Sequence, residues 1–188
     1  MTTVNIRKPE DGIAKGTQLV YPTFAPDSSC VFYAPLWETE LSFDAIDVGN
    51  AASDRATTVA AGSTYIDLAN SANQTGYIDS VEVWAATNLT GCRVGTFYLV
   101  SGTTYKCRDS MAIGAVTSGS KQTFTGLGLR VVTGDFIGCY FVSGTLDSAA
   151  SGGSGVLSIA GDNPIQAGNQ ATFAADAGSD DIISLYAS

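Results

Sequence analysis

Residues 127–141, LGLRVVTGDFIGCYF, constrain the fold more than any other stretch of this chain. Leu127, Leu129 and Val131 alternate with Gly128, Arg130 and Val132, the period-two pattern of a strand with one buried face. Thr133-Gly134-Asp135 interrupts the run with turn chemistry. Large apolar groups then occupy both faces: Ile137, Cys139 and Phe141 on one, Phe136 and Tyr140 on the other. A strand apolar on both faces lies inside a sandwich or at an interface, where both sides are covered. The stretch predicts a hairpin with the remaining strands laid around it.

Those remaining strands are legible as short runs. Residues 57–60 and 64–68 are candidate strands, and residues 70–76 (NSANQTG) form a loop by composition. Residues 77–86 alternate, with Val81, Val83 and Ala85 set against Ser80, Glu82 and Trp84. Residues 88–91 predict a turn. Residues 93–100 predict an aromatic and β-branched strand, and Ser101-Gly102 a two-residue hairpin turn. Residues 104–109 return with Tyr105 and Cys107 on one face. Residues 111–116, 122–124, 156–159, 171–173 and 182–186 complete the strands. Residues 143–155, SGTLDSAASGGSG, predict a mobile surface loop. About nine or ten short strands at roughly 8–12-residue spacing, with no helical pattern, predict an all-β antiparallel sandwich of jelly-roll type.

The first part of the chain reads differently. Pro9, Pro22, Pro26 and Pro35 punctuate it, and its longest periodic run is residues 18–21. Residues 1–30 are expected to form an extended arm, and residues 31–188 the sandwich. Val4, Ile6, Leu19, Tyr21 and Phe24 make the arm too apolar for a solvated tail, so it is expected to dock on a neighbour or on its own sandwich. Phe32, Tyr33 and Trp37 in CVFYAPLWETEL read either as a plug over one end of the core or as an aromatic contact patch. Trp84, opposite Val81 and Val83, joins that patch. An exposed Trp packs at a subunit contact, the favoured reading, or under the N-terminal arm, or stacks on a sugar.

Charge excludes several functions. The chain carries 9 Lys+Arg against 18 Asp+Glu, a net −9, and its longest basic run is Arg7-Lys8. Nucleic acid and anionic membrane both need clustered cations, so neither is an expected partner. No window approaches a membrane-spanning apolar helix, and the Met1 terminus shows no secretory leader pattern. Only 14% of residues are charged while 45% are hydrophobic, the profile of a protein partly covered by neighbours.

Chemistry has few places to reside. With no histidine, the usual base and the usual metal ligand are missing. Cys30, Cys92, Cys107 and Cys139 match no metal spacing and read as buried free thiols, with Cys92–Cys107 the nearest candidate disulfide. Carboxylate pairs for glycoside chemistry would be Glu82 with Asp79, or Asp135 with Asp109, and Asp135 already has a turn reason to be Asp. DAGSDD at residues 176–181 lacks the spacing of a calcium loop and reads as a solvated acidic turn, with a cation-holding loop as the alternative. Asn73-Gln74-Thr75 and Asn88-Leu89-Thr90 match the glycosylation pattern by chance. No cofactor, no metal and no enzymatic activity are expected.

Two stretches carry a resemblance. VFYAPLWETELS at residues 31–42 is similar to the lead-in of concanavalin-like domains in phage and environmental viral proteins. Residues 77–141, with YIDSVEVWA, GTFYLVSG and VVTGDFIGCYF, resemble small jelly-roll domains of phage structural proteins. The resemblance implies a virion component, a capsid decoration protein or a tail or fibre subunit. Such a subunit is made in the host cytoplasm and carried outside on the particle. Its implied partners are copies of itself, as a trimer or lattice, and other virion proteins. The alternatives from other classes are a carbohydrate-binding module and an extracellular filament subunit built by strand donation.

Overall fold

The structure, a computed structural model, describes residues 45–176 and 181–188. Among them the fold is an all-β antiparallel sandwich. Its strands are β1 (Val48–Gly49), β2 (Thr57–Ala60), β3 (Ser63–Asp67), β4 (Gly76–Ile78), β5 (Val81–Ser101), β6 (Thr104–Val116), β7 (Lys121–Phe124) and β8 (Leu129–Val131). Then follow β9 (Phe136–Tyr140), β10 (Ser143–Ala149), β11 (Val156–Ala160), β12 (Gln170–Thr172), β13 (Ala174–Ala175), β14 (Ile182–Ile183) and β15 (Leu185–Ala187). A 3-10 turn at Asn163–Ile165 lies between β11 and β12.

The organising element is β5, 21 residues long. Its first residues lie between β15 and β7, with Val83 opposite both Leu185 and Gln122. Its middle pairs with β10, Ala85 facing Leu146. Its last part lies between β6 and β9, and β9 continues through β3 to β11 and β13. One strand therefore belongs to both ribbons of the sandwich. The predicted turn at residues 88–91 is not a turn. The strand runs through it on irregular register, and Gly91 takes up the distortion at φ 58°.

The main core lies between the two ribbons. Val81, Val83, Leu89, Leu146 and Leu185 come from one side, and Tyr65, Val94, Ile137 and Val156 from the other. A second core lies on the opposite face of β3, β5 and β9, where Ile66, Phe97, Tyr105, Leu157, Ile165 and Phe173 cluster. Phe173 packs edge-on against both Phe97 and Tyr105. The double-sided pattern of residues 136–141 is thereby explained. Ile137, Cys139 and Phe141 enter the main core, while Phe136 and Tyr140 pack against the second. Each fully buried Leu, Ile or Phe contributes about 2 kcal/mol of transfer free energy, so two-sided burial makes β9 a principal stabilising strand.

The predicted hairpin within residues 127–141 does not form. β8 pairs with β4, Tyr77 facing Arg130, while β9 joins β3 and β5. Side chains bind β8 to the larger sheet where a strand neighbour is missing. Asp109 accepts the Arg130 N–H at 3.0 Å, and the Thr96 hydroxyl donates to the Arg130 carbonyl at 2.7 Å. Thr96 and Asp109 are themselves opposite one another in the β5–β6 ladder.

The run at residues 143–155 is corrected as well. Its first half is β10, and Leu146 is fully buried in the main core. The alternating stretch at residues 77–86 is divided by Asp79-Ser80 into β4 and the start of β5, while residues 104–116 form one strand rather than two. The hairpin turn joining β5 to β6 is Gly102-Thr103, one residue beyond the predicted pair.

Candidate functional site

The sequence-predicted residues fall unevenly. The arm residues Val4, Ile6, Leu19, Tyr21 and Phe24, the aromatics Phe32, Tyr33 and Trp37, and Cys30 lie outside the described residues. Trp84 lies on the outer face of β5, as its alternation with Val83 requires, and is half-buried rather than open. Its backbone N–H donates to Ser184 at 3.2 Å.

Three of the four candidate carboxylates are engaged by neighbouring groups, and Asp79 is bonded through its main chain, its N–H donating to Ser188 and its carbonyl accepting from Leu127. Asp135 accepts from the Arg108 guanidinium through both oxygens and from the Val132 N–H at 2.8 Å, closing the turn before β9. Arg108 also lies 4.6 Å above the Tyr98 ring. Asp109 receives the N–H groups of Ser110 and Arg130. Glu82 pairs with Lys121 at 2.9 Å. The amides of the two glycosylation matches are engaged too: Asn73 donates to Ala45 and accepts from Asp47, and Asn88 accepts from Ser118.

Cys92, Cys107 and Cys139 are buried and free. Burial pushes the Cys92 and Cys107 thiols up to about 12 and holds Cys139 well above its ordinary value. These are small core hydrophobes, not nucleophiles. The acidic turn is not uniformly solvated. Asp176 is exposed, but Asp181 is 7% exposed, and both line a pocket of about 160 Å³ with Thr57, Ser148 and Ile182. Among the described residues no group of three His, Cys, Asp or Glu side chains is placed to hold a metal.

Two surfaces escape sequence reasoning. The first is a groove lined by Asp47, Asn50, Asn70, Glu82 and Tyr186. Asn50 donates its amide to the buried Asp67, and Asn70 donates to Asp47 and to the Gly49 carbonyl. Among the described residues, no donor reaches the side-chain oxygens of Asn50 and Asn70. Burial, then the Asp47 carboxylate, raises the Tyr186 phenol. No sequence signal marks this groove, because its residues come from four separate segments.

The second surface is an edge. β6 pairs with β5 along one side, and on the other side meets β12 only at residues 104–106. Cys107 then exchanges main-chain bonds with Asn169 and Gly168, both at 2.9 Å. From Arg108 to Val116 no strand of the described residues covers that outer side. Met111 is 41% exposed there. Elsewhere among the described residues Tyr77, Leu99, Val100 and Val142 are large apolar side chains left open, from 48% to 70% exposed.

Comparisons with protein-family models, with curated proteins and with solved structures find no match to this chain.

Proposed function

We propose that this chain is a structural subunit of a virus particle, a self-assembling β-sandwich of capsid-decoration, tail or fibre type whose N-terminal arm reaches onto a neighbouring copy. The observation that carries this reading is the surface. In a chain with 14% charged residues, Tyr77, Leu99, Val100, Met111 and Val142 stand open to solvent. Such a surface suits contact with neighbours better than a freely soluble monomer, because interface cores are depleted in charge and enriched in aromatics and Met. An arm docking Ile6, Leu19, Tyr21 and Phe24 would contribute on the order of 6–10 kcal/mol before ordering costs.

Light scattering on the purified chain tests the proposal. The expected result is a defined oligomer at micromolar concentration, with deletion of residues 1–30 leaving a folded, assembly-defective sandwich. A monomer at all concentrations, or an oligomer indifferent to the deletion, contradicts it.

A second reading, a glycan-binding module, is favoured by the groove at Tyr186. Carboxylate and amide oxygens accept from sugar hydroxyls, and a tyrosine ring packs against a sugar face. A glycan array with Tyr186→Ala and Trp84→Ala as controls separates the two readings. Binding that is lost in Tyr186→Ala favours the module.

A further inference from the structure

We propose that the groove at Tyr186 is a sugar subsite selective for positive charge: it takes a glycan whose ring carries a free ammonium in preference to a neutral or N-acylated one. This rests on the glycan-binding reading above and names the ligand class for it. Three strands set the floor. Tyr186 of β15 lies between Gly49 of β1 and Glu82 of β5, each directly opposite it in its ladder. Leu185 and Ala187 enter the core, so Tyr186 stands on the outer face with Glu82, and Gly49 places no side chain beside it. Asn70 makes the wall. Its amide donates to Asp47 at 3.0 Å and to the Gly49 carbonyl at 3.1 Å, and its carbonyl accepts the Gly49 N–H at 2.9 Å. Asn50 is held by the buried Asp67 at 2.9 Å. A site fixed in this way needs little ordering when a ligand arrives.

The chemistry of the groove is that of an acceptor. The Asn70 amide commits both its N–H groups within the protein, and the Asn50 amide one. Burial, then the carboxylates of Asp47 and Glu82, keep the proton on the Tyr186 phenol. The oxygens of Asn50, Asn70, Asp47 and Glu82 remain, so the ligand must bring the donors. Glu82 is paired with Lys121, but among the described residues no cation pairs with Asp47. Charge-assisted hydrogen bonds are about twice as strong as neutral ones, so Asp47 favours an ammonium over a hydroxyl. The net −9 of the chain adds to this and disfavours acidic sugars. The groove measures about 550 Å³, a size that suits a small ligand. A lone lysine ammonium cannot reach acceptors contributed by four segments. A ring with hydroxyls around its edge reaches several at once, with the tyrosine against one face.

Calorimetric titration of the full chain tests this, with glucosamine oligomers, their N-acetylated counterparts and glucose oligomers of equal length as probes. The free-amine oligomer is expected to bind about tenfold tighter than the other two below the pKa of its amine, and to lose that margin as pH rises through it. Asp47→Asn keeps an oxygen for the Asn70 amide and is expected to remove the margin. Asp162→Asn, at an exposed position outside the groove, changes the net charge equally and is expected to leave the margin intact. Equal binding of all three probes, lost in Tyr186→Ala, overturns charge selection and leaves the glycan reading standing. A margin lost equally in both Asn variants reduces the effect to net charge and overturns the subsite. Binding indifferent to Asp47→Asn and Tyr186→Ala puts the sugar elsewhere and overturns it too. Oligolysine binding that Asp47→Asn removes, with no sugar bound, gives the groove to a basic protein and overturns the sugar. No binding of any probe overturns the glycan reading and this inference together.

Discussion

The carboxylate of Asp67 accepts the main-chain N–H of Ile183 at 3.0 Å, joining residues 116 positions apart. The same fully buried side chain accepts from the Ala69 N–H at 2.8 Å and from Asn50 at 2.9 Å. It fastens the end of β3 to the loop before β2 and to β14. Replacing it by Ala leaves three donors without their acceptor, one of them the buried Ile183 N–H, at a cost of about 3 kcal/mol. Urea denaturation of Asp67→Ala checks this. A loss below about 1 kcal/mol contradicts the assignment.

Stability also follows pH through this group. Burial raises Asp67 above its ordinary carboxylate value, more than its hydrogen bonds lower it, and burial raises Asp147 as well. A carboxyl raised in the folded state holds its proton more tightly there than in the unfolded chain. Stability from these two groups is therefore gained as pH falls through their raised values toward 3.8, and lost as pH rises through the same window. Urea midpoints measured from pH 7 down to pH 4 are expected to show this rise, and the slope should flatten in Asp67→Ala. A steeper dependence in the variant contradicts it.

Gly138 shows how tightly β9 is held. A Cβ there would lie 2.4 Å from the Tyr65 carbonyl oxygen and 2.7 Å from the Phe97 ring. Both neighbours belong to strands paired with β9, so neither can withdraw without breaking a ladder. Gly138→Ala is expected to destabilise by about 2–3 kcal/mol through overpacking. Gly62→Ala, where nothing lies within 4 Å of the new Cβ and φ is 88°, is expected to cost only about 1 kcal/mol. Thermal melts of the two variants should fall in that order.

The three described cysteines give a simple readout of core integrity. With thiols pushed up by burial, Cys92, Cys107 and Cys139 are expected to resist alkylation at pH 8 in a Cys30→Ser background. All three react once the chain is unfolded. Mass spectrometry after iodoacetamide treatment counts them. Rapid labelling of the native protein would mean that the core opens far more readily than its packing implies.

Periodicity revealed which residues are buried, but not which strands meet. Val81, Val83 and Ala85 are buried as their alternation predicts, and β2 spans residues 57–60 as read. Pairing was hidden because β8 and β9, only four residues apart, go to different partners, and no local pattern encodes a partner. The Gly/Ser-rich run at residues 143–155 misled for a specific reason. A Cβ on Gly144 would lie 2.2 Å from the Asn88 carbonyl oxygen, so close backbone approach demands glycine in a strand that still buries Leu146. At Gly144 low complexity records crowding, while residues 150–155 form a surface loop as read. The candidate surfaces were less legible still. An open edge is a property of neighbours, and the groove at Tyr186 is assembled from residues 47–51, 69–70, 82 and 186.

The length of β5 has a mechanical consequence. Because one uninterrupted backbone passes from one ribbon of the sandwich to the other, force pulling the ribbons apart is carried by covalent bonds as well as by apolar contact. Such a fold is expected to resist shear between its layers and, under load, to yield first at its outlying strands rather than to split down the middle.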